Sequence, residues 1–476
     1  LSREDVVAVA RDGADVELSD EAVATMAATR AHVEAMAASE EPVYGISTGF
    51  GGLATTHIPA EQRARLQQSL IASHAAGMGA PIEAEVVRAM ILLRARTMAT
   101  GVTGARPELA RALLGLLDHG RLPEVPEFGS LGCSGDLAPL AHVAAALDLP
   151  LEAKEGLALI NGTDGMLGML VLACADLSRL LRTADVAAAM SVEGLLGTDR
   201  AFAADLVLLR PHPGQQVSAA NLRTLLEGSS IVASHRTGDS RVQDAYSMRC
   251  APQVHGAARD ALWFAETCTD RELASAIDNP VVLTDGRVES VGNFHGAPLA
   301  YACDLLAIVI ADVAAMSERR IDRFLDASRS QGLPPFLAHE PGVDSGLMIG
   351  QYTAAALVAE CKRLAVPASV DTIPTSAMQE DHVSMGWAAA RKLRTALDHL
   401  TKVLAIELVT GARGLDLRAP LLPARGTSAA RDALRNGGVP GPGPDRLLSP
   451  ELEAAAHLVA DGTILAAIEQ EVGALG

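Results

Sequence analysis

Aromatic residues make up only 3% of this 476-residue chain, and lysine occurs only four times among its 39 basic residues. With so few rings, the 49% hydrophobic share is mainly aliphatic; its Ala and Leu content favours helix over sheet and is enough to bury a large core. The lysine shortage, together with a formal net charge of −19, argues against a nucleic-acid surface, which needs clustered cations to displace counterions. Cysteine is sparse too. The six, at 133, 174, 250, 268, 303 and 361, form no Cys-x-x-Cys pair, so neither a zinc site nor a disulfide framework is expected, and a reducing cytoplasm fits. Thirteen histidines and the run Glu380-Asp381-His382 raise the question of a metal, but no His-Glu-x-x-His or comparable ligand spacing occurs and none is expected. No apolar leader core follows Leu1-Ser2-Arg3-Glu4-Asp5, and the apolar stretch 299 to 316 is interrupted by Asp304 and Asp312, so no membrane segment is expected.

What the chain does have is Gly129-Ser130-Leu131-Gly132-Cys133-Ser134-Gly135-Asp136. Within it, Cys133-Ser134-Gly135 can become an electrophile with no external reagent. Attack of the Gly135 nitrogen on the Cys133 carbonyl carbon, with loss of water, closes a five-membered imidazolone. Loss of the Ser134 hydroxyl then leaves an exocyclic methylene, and the product is a methylidene-imidazolone, a Michael acceptor. Gly135 has no side chain to hinder its own nitrogen, and Cys133 contributes only backbone atoms to the ring. Taken alone, the segment reads more readily as a glycine turn in which Ser134 or Asp136 caps a helix starting near Leu137.

Seven blocks lift that ambiguity: Tyr44 to Gly51, Ser73 to Gly77, Gly129 to His142, Asn161-Gly162-Thr163, Gln243 to Cys250, Gly292 to His295 and Gln379 to Met385. Nearly end to end, and in this order, the chain resembles the aromatic amino-acid ammonia-lyase family, most closely its actinobacterial members acting on histidine. The resemblance implies a mainly α fold, a long central helical bundle of the fumarase/aspartase-like type with an N-terminal loop-and-helix catalytic part. It also implies an autocatalytic methylidene-imidazolone from Cys133, Ser134 and Gly135 with no external cofactor, a small amino-acid substrate, and a homotetramer whose sites draw on more than one subunit.

Residue by residue, the resemblance makes Tyr44 the base that takes the β-proton, although a phenol needs help to ionise near neutral pH. Arg249 becomes the bidentate clamp for the substrate carboxylate. Asn161, Gln243 and Tyr246 become hydrogen-bonding groups for the imidazolone or substrate, and Phe294 packs beside the chromophore. Asp136 either accepts a proton during cyclisation or caps a helix. His74 and Glu380 carry the pattern of the histidine-acting members, since an imidazole offers both a donor and an acceptor. Met348 matches an apolar wall residue or is plain core. Tyrosine ammonia-lyases and aromatic amino-acid 2,3-aminomutases share the chromophore and remain the alternatives.

Residues 1 to 195 are expected to carry the chromophore, and 196 to 476 to form the long-helix bundle and C-terminal helices. Leu299, Ala302, Leu306, Val309, Val313 and Met316, like Leu393, Leu397, Leu400 and Leu404, recur at three- and four-residue steps, the mark of long packed helices. Gly437 to Pro444 reads as a surface loop before one final helix near 450 to 471. Between Leu147 and Lys154 the chain is shorter than is usual for members of the resembled family.

Overall fold

The computed structural model describes residues 1–39, 42–53, 55–118, 120, 122–239 and 241–476. It is mainly α-helical, and strands are confined, among these residues, to two short antiparallel pairs plus isolated bridges. The chain divides into two compact units, each discontinuous in sequence. The first comprises 1–173, 265–304 and 367–391; the second comprises 174–264, 305–366 and 392–476. The sequence boundary expected at 195 and 196 lies just past the end of the helix Asp164–Gly194.

The first unit is built around the helix Ala84–Ala99, whose Val86, Met90, Ile91, Leu93 and Met98 are buried. Burying an aliphatic or Met side chain of this size contributes roughly 1.5–3 kcal/mol. The strand pair Met78–Pro81 and Pro126–Phe128 delivers the chain directly into Gly129 to Asp136. That segment is tied along its length: Trp387 Nε1 donates to the Glu127 carbonyl (2.7 Å), Met385 N to Leu131 O (2.9 Å) and Ser384 Oγ to Gly132 O (3.1 Å). The short segment after Leu147 is equally well held. Arg30 reaches Glu152 (2.6 Å) and the Ala153 carbonyl (3.0 Å), while Arg106 donates to Pro150 O (2.8 Å) and to Glu155 (2.7 Å).

In the second unit the long-helix pattern is realised. Leu306 and Val313 on the helix Ala297–Leu325, and Leu393, Leu400 and Leu404 on Gly386–Asp416, are wholly buried. Val309 and Met316, although in the same stripe, are only half-buried. At the heart of this unit Arg320 forks onto Glu407 through Nε (2.5 Å) and Nη2 (2.9 Å), with Ser191 Oγ as a further donor (2.6 Å).

The final segment departs from the expectation of one helix. It forms two, Ser449–Ala460 and Thr463–Val472, because the Asp461 carboxylate turns the chain by accepting from Thr463 N (2.8 Å). Two helical stretches, Glu155–Gly194 and Ala297–Leu325, are long and apolar enough by composition to cross a bilayer. The apolar window of the first is fully buried within the protein and that of the second 61% buried, as core helices are.

Candidate active site

Ser134 lines two cavities of the first unit, of about 600 and 810 Å³, the size range of small-molecule sites. Tyr44, Gly51, Asn279 and Glu380 also line both; His74 and Asn161 line the smaller one, and Phe294 the larger. Six widely separated positions of the sequence analysis thus share one region: Tyr44, His74, Ser134, Asn161, Phe294 and Glu380.

Local chemistry explains how each is presented. Tyr44 opens a tight turn closed by Ser47, whose Oγ accepts from Val43 N (2.9 Å), and whose Ile46 anchors in a cluster with Val33 and Val282. The Tyr44 hydroxyl accepts from Gly51 N (3.3 Å), and its ring meets Phe50 edge-on. His74 ends the helix Arg63–His74, its Nδ1 3.1 Å from Ser73 Oγ. Burial holds the His74 imidazole below its ordinary pKa, against the opposing pull of Glu380, so the ring is kept neutral. Glu380 is fixed by Thr375 Oγ1, which donates to its carboxylate (2.8 Å). Burial, and then the nearby Glu380 charge, push the Cys133 thiol up to about 12, leaving it an uncharged neighbour of the site.

Gly135 adopts φ +79°, and a Cβ there would overlap the Gly162 carbonyl, so this position admits only glycine. The Gly162 oxygen also accepts from Asp136 N (2.7 Å). Asp136 stands at the N-terminus of the helix Leu137–Ala144 but does not cap it, and Ser134 does not cap it either. Its carboxylate instead accepts from Gly165 N and Met166 N (both 2.9 Å), in the first turn of the helix Asp164–Gly194, and from Ser130 Oγ (3.0 Å). The cap expected on the adjacent helix is thus formed on another, because the turn at Gly135 directs the carboxylate inward. Full burial pushes the Asp136 carboxyl up to about 7 despite these donors. Asn161 donates through Nδ2 to Asn279 O (2.6 Å), and its buried Oδ1 has no partner.

Gln243, Tyr246, Arg249 and Met348 belong to the second unit, and none of them lines either cavity. Tyr246 is 70% exposed, with the Arg249 guanidinium 4.6 Å from its ring centroid; Arg249 Nε donates to the Asp244 carbonyl (2.9 Å). Gln243 is exposed, and Met348 lines a separate depression with Phe336 and Tyr352. Sequence reasoning missed Asn279, which lines both cavities and holds Asn161, and Ser130, which holds Asp136. Ser130 could have been found from its place inside the glycine-rich segment; Asn279 sits in an Asp-Asn-Pro turn that gives no signal of its own.

The profile of the family described as aromatic amino acid lyase matches residues 1–148 and 147–436, two stretches that meet where the chain is short. Histidine ammonia-lyase of Streptomyces avermitilis is 57% identical, the match covering 100% of this chain and 98% of that protein. The alignment spans 501 positions against 476 residues here, so the relative carries residues this chain lacks. Histidine ammonia-lyase of Gloeobacter violaceus is 48% identical, covering 100% of this chain and 97% of that protein. Among solved structures, tyrosine aminomutase from Streptomyces globisporus superposes with a TM-score of 0.94 at 34% identity, covering 100% of this chain and 98% of that one. Histidine ammonia-lyase from Trypanosoma cruzi gives 0.90 at 37%, covering 99% and 94%. With the family profile spanning most of its length and relatives of this identity matched end to end, the chain belongs to the aromatic amino acid lyase family.

Proposed function

We propose that this protein is a carbon-nitrogen lyase that removes ammonia from L-histidine without oxidation, giving trans-urocanate. The observation that carries the reading is the company Ser134 keeps: a neutral imidazole, His74, and a carboxylate, Glu380, line the same cavity as Ser134 and the Tyr44 hydroxyl. Identity of 57% to a histidine ammonia-lyase over the whole chain supports it.

The tripeptide suits a methylidene-imidazolone, because Gly135 is held in a conformation and a crevice that only glycine fits, while Ser134 faces the cavities. That group supplies an electrophile able to capture the substrate's amine or its ring. The remaining work falls to side chains. Tyr44 takes the β-proton as nitrogen departs. His74 and Glu380 hold the imidazole, Asn161 uses its unpartnered Oδ1 to accept a hydrogen bond from bound substrate, and Phe294 walls the site. Asp136, whose carboxyl is raised to about 7, serves cyclisation as a proton acceptor.

Arg249, Tyr246, Gln243 and Met348 complete the site from a neighbouring subunit of a homotetramer. In support, Tyr246 is exposed in the second unit, as are Ile308, Ile349 and Tyr352, apolar surface suited to burial between copies. Arg249 then clamps the substrate carboxylate. Sedimentation revealing a fully active monomer would refute the shared site. The reading also includes a cytoplasmic enzyme, in keeping with six free cysteines.

The test is kcat/KM for histidine, tyrosine and phenylalanine in wild type, Glu380→Gln and His74→Leu, following ammonia and the unsaturated acid. A site built to hydrogen-bond a ring nitrogen rejects a phenyl by up to about 10⁴ to 10⁵. Preference for tyrosine, a β-amino acid product, or full histidine activity in both variants would each contradict the assignment, the first two in favour of a tyrosine lyase or an aminomutase.

A further inference from the structure

Behind the reactive segment lies a buried group of charges that the catalytic scheme does not use. Arg94 is completely buried in the helix Ala84–Ala99, and its Nη1 lies 3.3 Å from the Asp164 carboxylate, which is itself almost fully buried. The contact is not a hydrogen bond. Arg94 Nε and Nη1 and Asp164 Oδ2 all lack hydrogen-bond partners, and only Nη2 is engaged, donating to Ile277 O (2.8 Å). Beside them Lys154 Nζ meets Asp278 Oδ2 at 2.5 Å, both groups fully buried. Burial pushes the Asp164 and Asp278 carboxyls up and the Lys154 amine down, each against the pull of its partner.

A loosely matched buried pair adds little stability, and its unpaired donors are costly, so packing alone is a poor account of it. Its position supplies another. A Cβ on Gly162 would overlap both Arg94 Nη1 and Asp164 Oδ2. On its other side the Gly162 peptide abuts Gly135, and its carbonyl accepts from Asp136 N. The Gly162 peptide is therefore confined between the ion pair and the residue whose nitrogen must close the ring. Arg94 also braces the 277–279 segment that holds Asn161.

We propose that Arg94 and Asp164 are positioning residues for chromophore formation: they form the wall that keeps the Gly162 peptide against Gly135, and so keep the Gly135 nitrogen on the Cys133 carbonyl carbon. This rests on the functional reading above. In the step they assist, the Gly135 N to Cys133 C bond forms; the Cys133 carbonyl oxygen leaves as water with the amide hydrogens of Gly135 and Ser134. A second water then takes the Ser134 hydroxyl and the Ser134 Cα proton. With the wall withdrawn, Gly162 recedes, Gly135 relaxes and closure slows, while finished enzyme works normally.

The experiment follows intact mass against time after synthesis in wild type, Arg94→Lys and the double variant Arg94→Met/Asp164→Leu, with circular dichroism and Tm alongside. Lysine keeps the charge but not the planar group behind Gly162, and the double variant leaves no lone buried charge. The expected result is loss of two waters on the order of tenfold more slowly in either variant, a barrier effect, with helicity retained and KM for histidine unchanged in matured protein. Wild-type maturation rates in a folded variant would overturn the proposal, and a variant that fails to fold leaves the decision to the other. Should wild type itself never lose two waters, the functional reading fails instead.

Discussion

Two buried arginine-carboxylate pairs, one in each unit, are built to different standards. Arg320 and Glu407 in the second unit are fully matched: all three guanidinium nitrogens donate, two to Glu407 and one to the Ser247 carbonyl (3.0 Å). Arg94 and Asp164 in the first unit touch without bonding and leave three polar atoms unpaired. An ion pair kept for stability gains by satisfying its donors, whereas one that must hold a strained backbone in place tolerates unsatisfied ones. The difference marks the Arg94–Asp164 pair as a place where stability is given up for chemistry.

The largest effect expected is on chemistry rather than folding. Tyr44→Phe keeps the ring that meets Phe50 and loses only the hydroxyl, so kcat for histidine should fall by about 10² to 10⁴, the usual worth of a general base, with Tm unchanged. A variant retaining most of its kcat would remove Tyr44 from the scheme. Arg320→Leu inverts that pattern. It leaves Glu407 buried without its partner, and unfolding experiments should show a loss of about 3–5 kcal/mol. A loss well under 1 kcal/mol would mean that the matched pair is no more structural than the unmatched one.

A subtler contrast concerns pH. The Asp136 carboxyl is raised to about 7 by burial, so the folded protein holds this proton where an unfolded aspartate has lost it. Its contribution to stability is therefore most favourable in acid and declines as pH rises from the ordinary carboxylate range to about 7, while its capacity to accept a proton grows over the same interval. Chromophore maturation should accelerate through about pH 7, and Asp136→Asn should abolish that step; a flat profile in wild type would leave Asp136 a helix cap alone. The smallest effect is expected at Cys133→Ala, since the thiol stays outside the ring and uncharged. Activity should remain within a few-fold, on the scale of a contact worth less than about 1.4 kcal/mol.

Much of this was legible in the sequence, for identifiable reasons. The tripeptide able to cyclise is visible in the sequence but reads as a glycine turn until the seven blocks stand beside it, whereas the helical stripes through Leu306 and Leu400 declare themselves by period. What was not legible depends on long-range placement. Nothing around Arg94, set in an apolar run, distinguishes it from a charge at a helix surface. Asp136 precedes a helix and would be read as its cap, yet it caps one that starts at Asp164. Gln243, Tyr246 and Arg249 lie in a block as telling as any other, but a single chain's sequence does not reveal that they fall in the second unit and line neither cavity around Ser134.

The most direct test is peptide mapping by mass spectrometry of the segment Gly129 to Asp136 in purified, active protein. The account predicts a mass two waters below that encoded, localised to Cys133-Ser134-Gly135 and absent from Ser134→Ala, which should also have lost its histidine activity. An unmodified tripeptide in protein that still releases ammonia from histidine would contradict it.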